Sequence, residues 1–171
     1  MALRAPFNLN AWINDNRDAL KPPVMARRVF EDAEFIVMVV GGPNSRTDYH
    51  IDPGEELFYQ LEGDMVLKVV DDGEMKDIVI REGDMFLLPP WVPHSPQRFA
   101  NTVGLVVERK RTDTEQDGVR WYCESCGGTV REAWFIASQG GFLPQLNAAI
   151  QEWKSNESLR QCPSCGHIQR P

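Results

Sequence analysis

A chain of 171 residues with 42% hydrophobic content can bury one proper core and carry a small appendage. Its formal charge of -7 at pH 7 is the wrong sign for a phosphate-neutralising surface, and its one basic run, Arg109-Lys110-Arg111, is expected to be solvated beside acids. The N-terminal residues include no apolar h-region and no stretch approaches a membrane span, so a soluble, intracellular protein is expected.

Leu9, Trp12, Ile13 and Leu20 fall near one helical face, with Asn8 or Asn10 as N-cap and Pro22-Pro23 as the stop. From Phe35 the pattern changes to short apolar runs at 35–40, 57–61, 65–70, 78–80, 85–88 and 103–107. Turn residues such as Glu62-Gly63-Asp64, Asp71-Asp72-Gly73 and Glu82-Gly83-Asp84 separate them. Short strands at such regular intervals predict an antiparallel sandwich or barrel. The polar segment 112–118 lacks apolar periodicity and sets the expected boundary between a barrel, 1–115, and an extension, 116–171. Within the extension, Leu143, Leu146, Ile150 and Trp153 recur at spacings of three and four, which predicts one amphipathic helix.

His50 follows the turn Gly41-Gly42-Pro43-Asn44, Glu56 precedes the run at 57–61, and His94 follows Pro89-Pro90-Trp91-Val92-Pro93. Neighbouring strands of a closed barrel can bring three such side chains to one point. A single histidine here reads as a half-buried residue with a hydrogen-bonded partner. Two, each with its own turn and strand, read as metal ligands, and two histidines with one carboxylate suit non-haem Fe(II) better than a closed zinc site. Asp52 and Glu55 read as solvated or supporting rather than ligating. Arg46 lies four residues before His50 and Arg98 four after His94, where a guanidinium fork suits an anionic substrate. Glu108 ends an apolar run, where an acid is costly unless paired or functional; an ion pair with Arg98 is the structural alternative.

Cys123-x-x-Cys126 and Cys162-x-x-Cys165 hold all four cysteines, each pair followed by a glycine that permits a tight turn. In a reducing compartment two such knuckles predict a closed tetrahedral site for Zn or Fe, structural because it leaves no open position. His167 is expected at the surface or supporting this site.

The segments Gly42 to Gly63 and Gly83 to His94 resemble the two cupin motifs, with Asp52 where a second histidine is usual. The runs Gly41-Gly42-Pro43-Asn44-Ser45-Arg46-Thr47-Asp48-Tyr49-His50, Glu56-Leu57-Phe58-Tyr59-Gln60-Leu61, His94-Ser95-Pro96-Gln97-Arg98 and Val107-Glu108-Arg109 closely resemble the 3-hydroxyanthranilate 3,4-dioxygenase family, from about Pro6 to the C-terminus. The four-cysteine tail resembles its short bacterial-type form. The resemblance implies a mainly β cupin (jelly-roll) barrel with an N-terminal helix and a small rubredoxin-like extension with one helix. It implies catalytic Fe(II) on His50, Glu56 and His94, a second Fe or Zn on the cysteines, and dioxygen as co-substrate. Arg98 and Arg46 would hold the substrate carboxylate, Arg46 would also steady superoxide or peroxide, and Glu108 would act as general base, with Glu56 and Glu108 both touching substrate. Asp48 would orient its neighbours. The implied product is 2-amino-3-carboxymuconate semialdehyde, the precursor of quinolinate, in tryptophan catabolism by the kynurenine pathway and NAD biosynthesis, in a cytoplasmic homodimer that binds neither nucleic acid nor membrane. One departure is Ala26, where the family leads one to expect an asparagine in a loop after Pro22-Pro23-Val24. The other readings are a non-enzymatic cupin sensor or scaffold, and another cupin dioxygenase.

Overall fold

Residues 3, 5–22 and 25–171 are described in the computed structural model of the chain. Alternation organises it. Strand β4 (Glu56–Glu62) buries Glu56, Phe58 and Gln60 and turns Leu57 and Tyr59 away, the period of two expected of a strand with one dry face. The same period holds in β5 (Met65–Asp71), which buries Met65, Leu67 and Val69, and in β9 (Val103–Arg109), which buries Gly104, Val106 and Glu108.

These inward faces close a sandwich. One sheet has the order β1 (Ala26–Arg28), β2 (Phe35–Gly41), β9, β4, β7 (Met85–Leu88). The other runs β11 (Thr129–Phe135), β10 (Asp117–Tyr122), β3 (Asp48–Ile51), β8 (His94–Arg98), β5, β6 (Glu74–Ile80). All strand pairs are antiparallel. Phe58, Leu88 and Val106 from the first sheet meet Met65, Leu67, Val69 and Ile80 from the second in the main core. The molecule is a mainly β cupin barrel with a helix near each end of the chain.

Helix α1 (Leu9–Asn16) is capped by Asn8, whose side chain accepts from the Ala11 N–H at 2.9 Å. A 3-10 turn, Arg17–Leu20, continues it, and Ile13 and Leu20 pack on Val39 and Val103. The predicted stop falls partly on Pro23, and the loop expected from the family partly on Val24; both residues lie outside those described. Ala26 opens β1 and pairs with Val40.

The six expected runs are strands β2, β4, β5, β6, β7 and β9. The expected boundary between 115 and 116 falls just before β10, which pairs with β3 and so continues the second sheet. Helix α2 (Phe142–Ser155) buries Leu146, Ala149 and Trp153 against Val119 and Trp121, with the Trp121 and Trp153 rings stacked at 4.8 Å. Its apolar face differs from the predicted one at the start: Leu143 is 62% exposed, and Phe142 is the residue turned to the barrel. No described helix is long and apolar enough to cross a membrane.

Trp153 joins α2 to the barrel, so Trp153→Ala is expected to cost about 3–5 kcal/mol in urea unfolding, as large-to-small substitutions in dry cores do.

Candidate functional site

His50 on β3 and His94 on β8 are direct cross-strand partners, with ring centroids 5.1 Å apart. Glu56 enters from the facing sheet. Its Oε1 lies 3.3 Å from His50 Nδ1 and 3.1 Å from His94 Nε2. The outer nitrogens of both rings are occupied: His50 Nε2 faces Asp117 Oδ1 at 2.8 Å, and His94 Nδ1 faces the Val92 carbonyl at 3.0 Å. Assigned as donors to those acceptors, they leave the His50 Nδ1 and His94 Nε2 lone pairs directed at Glu56. Glu56 Oε1 is buried and makes no hydrogen bond. Three donor atoms that converge without hydrogens between them fit a metal ion.

Charge points the same way. Setting aside the Asp48–Arg46 pair, the buried acids around this point are Asp52, Glu56, Glu108 and Asp117, and the buried guanidiniums are Arg98 and Arg111. Two negative charges are left in excess, which a divalent cation neutralises. Burial opposes a charged His50, yet Asp117 and Glu56 outweigh it and lift His50 to about 9. Burial likewise opposes ionised Glu56, but the two histidines hold it well below the usual carboxylate range. What draws a proton here draws a metal. Asp52, Glu56 and Glu108 also cluster, but Asp52 and Glu108 are already bound by Arg111, so His50, Glu56 and His94 are the better set.

Arg98 shares the inward face of β8 with His94, since residues four apart on a strand point the same way. It is 4% exposed, and its Nη1 donates to Gln60 Oε1 at 3.0 Å. No carboxylate among the described residues lies within ion-pair distance of Arg98, and burial pulls the guanidinium down to about 10. The space it occupies exists because residue 104 is glycine: a Cβ there would stand 2.6 Å from Arg98 Nη1 and 2.3 Å from Gln60 Oε1. Glu108, opposite Glu56 on β9, pairs with Arg111 at 2.9 Å and not with Arg98. Burial first, then the Glu56 charge, pushes it up to about 8.

Arg46 is bound to Asp48 and lines a cavity of about 400 Å³ with Tyr49, Trp121 and Cys123. The structure brings it to the strand of His50 but not into contact with the three converging donors.

Sequence reasoning missed Arg111, Asp117 and Phe142. Arg111, expected in solvent, is buried among Asp52, Glu108 and Asp117. Asp117, expected in a linker, is wholly buried against His50. Phe142 sets its ring 4.7 Å from that of His50, with Arg111 5.8 Å from its centroid. Asp52 is buried, and its Oδ1 accepts from the Gly54 N–H at 2.6 Å. The alternation Val119-Arg120-Trp121 was the available signal that a strand begins near Asp117; Arg111, in a wholly polar run, carried none.

The four cysteines form a second cluster. Cys123 and Cys165 sulfurs are 3.7 Å apart and Cys126 and Cys162 sulfurs 3.6 Å. A tetrahedron of about 2.3 Å metal–sulfur bonds has edges of about 3.8 Å. Disulfides, at about 2.05 Å, are excluded. The knuckles repeat one another: Gly127 N–H donates to Cys123 O and Gly166 N–H to Cys162 O, with both glycines at positive φ. The Cys165 backbone amide leads in pulling Cys162 down to about 6, whereas neighbouring sulfurs, against the Gly128 amide, push Cys126 up to about 12. Four thiols that cannot all ionise alone fit a cation that lets them. His167 is exposed, and its carbonyl accepts from the Cys162 N–H.

The family model for 3-hydroxyanthranilic acid dioxygenase matches residues 1–154. The chain belongs to that family. Proteins named 3-hydroxyanthranilate 3,4-dioxygenase are similar over almost their whole length: one from Neurospora crassa at 52% identity, covering 96% of this chain and 89% of its own. One from Xanthomonas euvesicatoria is 52% identical, covering 95% and 91%. One from Jannaschia sp. is 50% identical, covering 98% and 93%.

Two predictions test the centres. With the cysteine site preloaded, titrating a divalent ion at pH 7 in buffers of different ionisation enthalpy should release about one proton per ion, because His50, raised to about 9, must lose its proton to ligate; no release would refute the His50 assignment. Replacing Cys162 with Ser should lower metal content by one ion and loosen α2, read as faster amide exchange at 142–155, while the cupin site still binds its ion.

Proposed function

We propose that this chain opens the ring of 3-hydroxyanthranilate with dioxygen to give 2-amino-3-carboxymuconate semialdehyde, an extradiol-type cleavage. The observation that carries the reading is an unpaired, buried Arg98 on the same strand face as His94, in a member of this family. A buried guanidinium without a carboxylate costs several kcal/mol, and a substrate carboxylate relieves that cost.

His50, Glu56 and His94 would hold Fe(II), the usual metal of a two-histidine, one-carboxylate face. Bound there, the ion would supply a chelating centre for the substrate's hydroxyl and amino groups and a path for electrons from ring to dioxygen. Arg98 anchors the carboxylate through a forked pair of N–H donors. Gln60, which holds Arg98 Nη1, keeps that fork aimed inward. Glu108 takes the phenolic proton of the substrate; burial and the Glu56 charge push its carboxyl up to about 8, which gives it the basicity for that role. Phe142 and the apolar core exclude water from the reacting ring. Arg46 is assigned to the substrate carboxylate and to dioxygen on the resemblance alone; bound here to Asp48, it must exchange that partner to act.

The cysteine centre is proposed as structural Fe or Zn, stitching residues 116–171 onto the barrel of 1–115. We further propose a cytoplasmic homodimer that feeds quinolinate and NAD synthesis from tryptophan. Its support is the outer face of the first sheet, where Val37, Val107, Leu57 and Leu87 form one cross-strand row. Phe35, Met85 and Leu87 are exposed there beside a hollow of about 390 Å³.

Aerobic addition of 3-hydroxyanthranilate to the iron-loaded protein should produce the semialdehyde chromophore near the visible edge; no change with loaded protein would defeat the reading. Arg98→Met should raise KM by about 30-fold or more, since losing one side of a buried charge pair costs about 2–5 kcal/mol. The double variant Met85→Glu, Leu87→Glu should sediment as a monomer.

A further inference from the structure

Arg111 is the most heavily bonded side chain around the metal centre, and it touches none of the three converging donors. Its Nη1 reaches Glu108 Oε2 at 2.9 Å, and its Nη2 reaches Asp52 Oδ2 at 2.5 Å and Asp117 Oδ1 at 2.8 Å. Nε adds contacts to both Asp117 oxygens at 3.1 and 3.3 Å, and Nη1 donates to the Arg109 carbonyl at 3.2 Å. The side chain is 4% exposed. Phe142 covers it from α2.

Each bound acid leads to something that must be aimed. Asp117 accepts from His50 Nε2 and fixes which way that ring turns its other nitrogen. Glu108 stands opposite Glu56 at the reacting end of the barrel. Asp52 is pinned from its other side by the Gly54 N–H, so the loop between β3 and β4, the strands of His50 and Glu56, has a fixed point. One rigid planar cation therefore sets three carboxylates that arrive from the β3 end, β9 and β10. Lysine cannot do this, since its ammonium is a point charge without a planar fork.

We propose that Arg111 is a positioning residue of the ring-opening reaction: it locks the Asp117–His50 ligand arm and the Glu108 base into one geometry. The inference rests on the function proposed above, but its metal-geometry half is readable without turnover. Arg111 neither contacts the substrate carboxylate, which is assigned to Arg98, nor supplies a metal donor.

The test uses the full-length protein with its cysteine site loaded and Co(II) in the cupin site as a spectroscopic probe, beside the iron-loaded enzyme for kinetics. Arg111→Lys and Arg111→Met should lower kcat by about tenfold and by about a hundredfold or more, respectively, with KM for 3-hydroxyanthranilate within threefold of the parent. Both should change the Co(II) visible bands, and guanidinium ion should partly restore kcat to Arg111→Met. Should Arg111→Met fail to fold, Asp117→Asn isolates the ligand arm: it should shift the same bands and weaken Co(II) binding about 10–100-fold, the usual effect of losing a ligand's supporting partner. Parent-like Co(II) bands in Arg111→Lys and Asp117→Asn would overturn the proposal, as would a loss confined to KM. If the parent itself does not open the ring, the proposed function fails, while the Co(II) bands still decide whether Arg111 sets the metal geometry.

Discussion

Excess buried negative charge is the constraint on which the rest of this structure depends. Asp52, Glu56, Glu108 and Asp117 are withdrawn from water around His50 and Glu56, and Arg98 and Arg111 are the buried cations beside them. Carboxylates packed so closely cannot all remain ionised without further positive charge. The raised values of His50, Asp52 and Glu108, about 9, 6 and 8, are one expression of that imbalance. A divalent ion on Glu56, as proposed, would match both the size and the position of the deficit. The barrel supplies the geometry, and charge supplies the affinity.

The C-terminal third belongs to this economy. Sheet pairing of β10 with β3 puts Asp117 behind His50, and α2 lays Phe142 over His50 and Arg111. The Trp121–Trp153 stack fastens α2 to β10, and the cysteine knuckles begin and end the segment that contains it. The closed sulfur site proposed above, with no open position, would then influence the proposed catalytic end only by holding that segment in place.

What could be read from the sequence follows from which faces carry apolar side chains. Strands β2, β4, β5, β6, β7 and β9 announce themselves because their runs are apolar and bounded by turns. Strands β3 and β8 do not, because their inward positions hold Asp48, His50, His94 and Arg98, and β10 is obscured because Asp117 takes its first inward position ahead of Val119 and Trp121. Strands that carry chemistry lose the hydrophobic alternation that identifies strands. The grouping of His50 and His94 with Glu56, and of the four cysteines, was legible from spacing and from resemblance. Arg111 was not, because a basic residue next to Arg109 and Lys110 carries no local sign of burial; only the fold brings three acids to it.

Arg98 and Arg111 show how one residue type serves opposite ends. Both are buried beside the same metal position, and burial penalises both charges. Arg111 is given three carboxylates, which lift it above its ordinary value and consume its donors, leaving it rigid and chemically silent. Arg98 is given a neutral amide and room made by Gly104, and its guanidinium is pulled down. A protein that satisfied Arg98 as fully as Arg111 would gain stability and lose the anion site proposed for it. The unsatisfied cation is thus the mark of the ligand, and the over-satisfied one the mark of the scaffold.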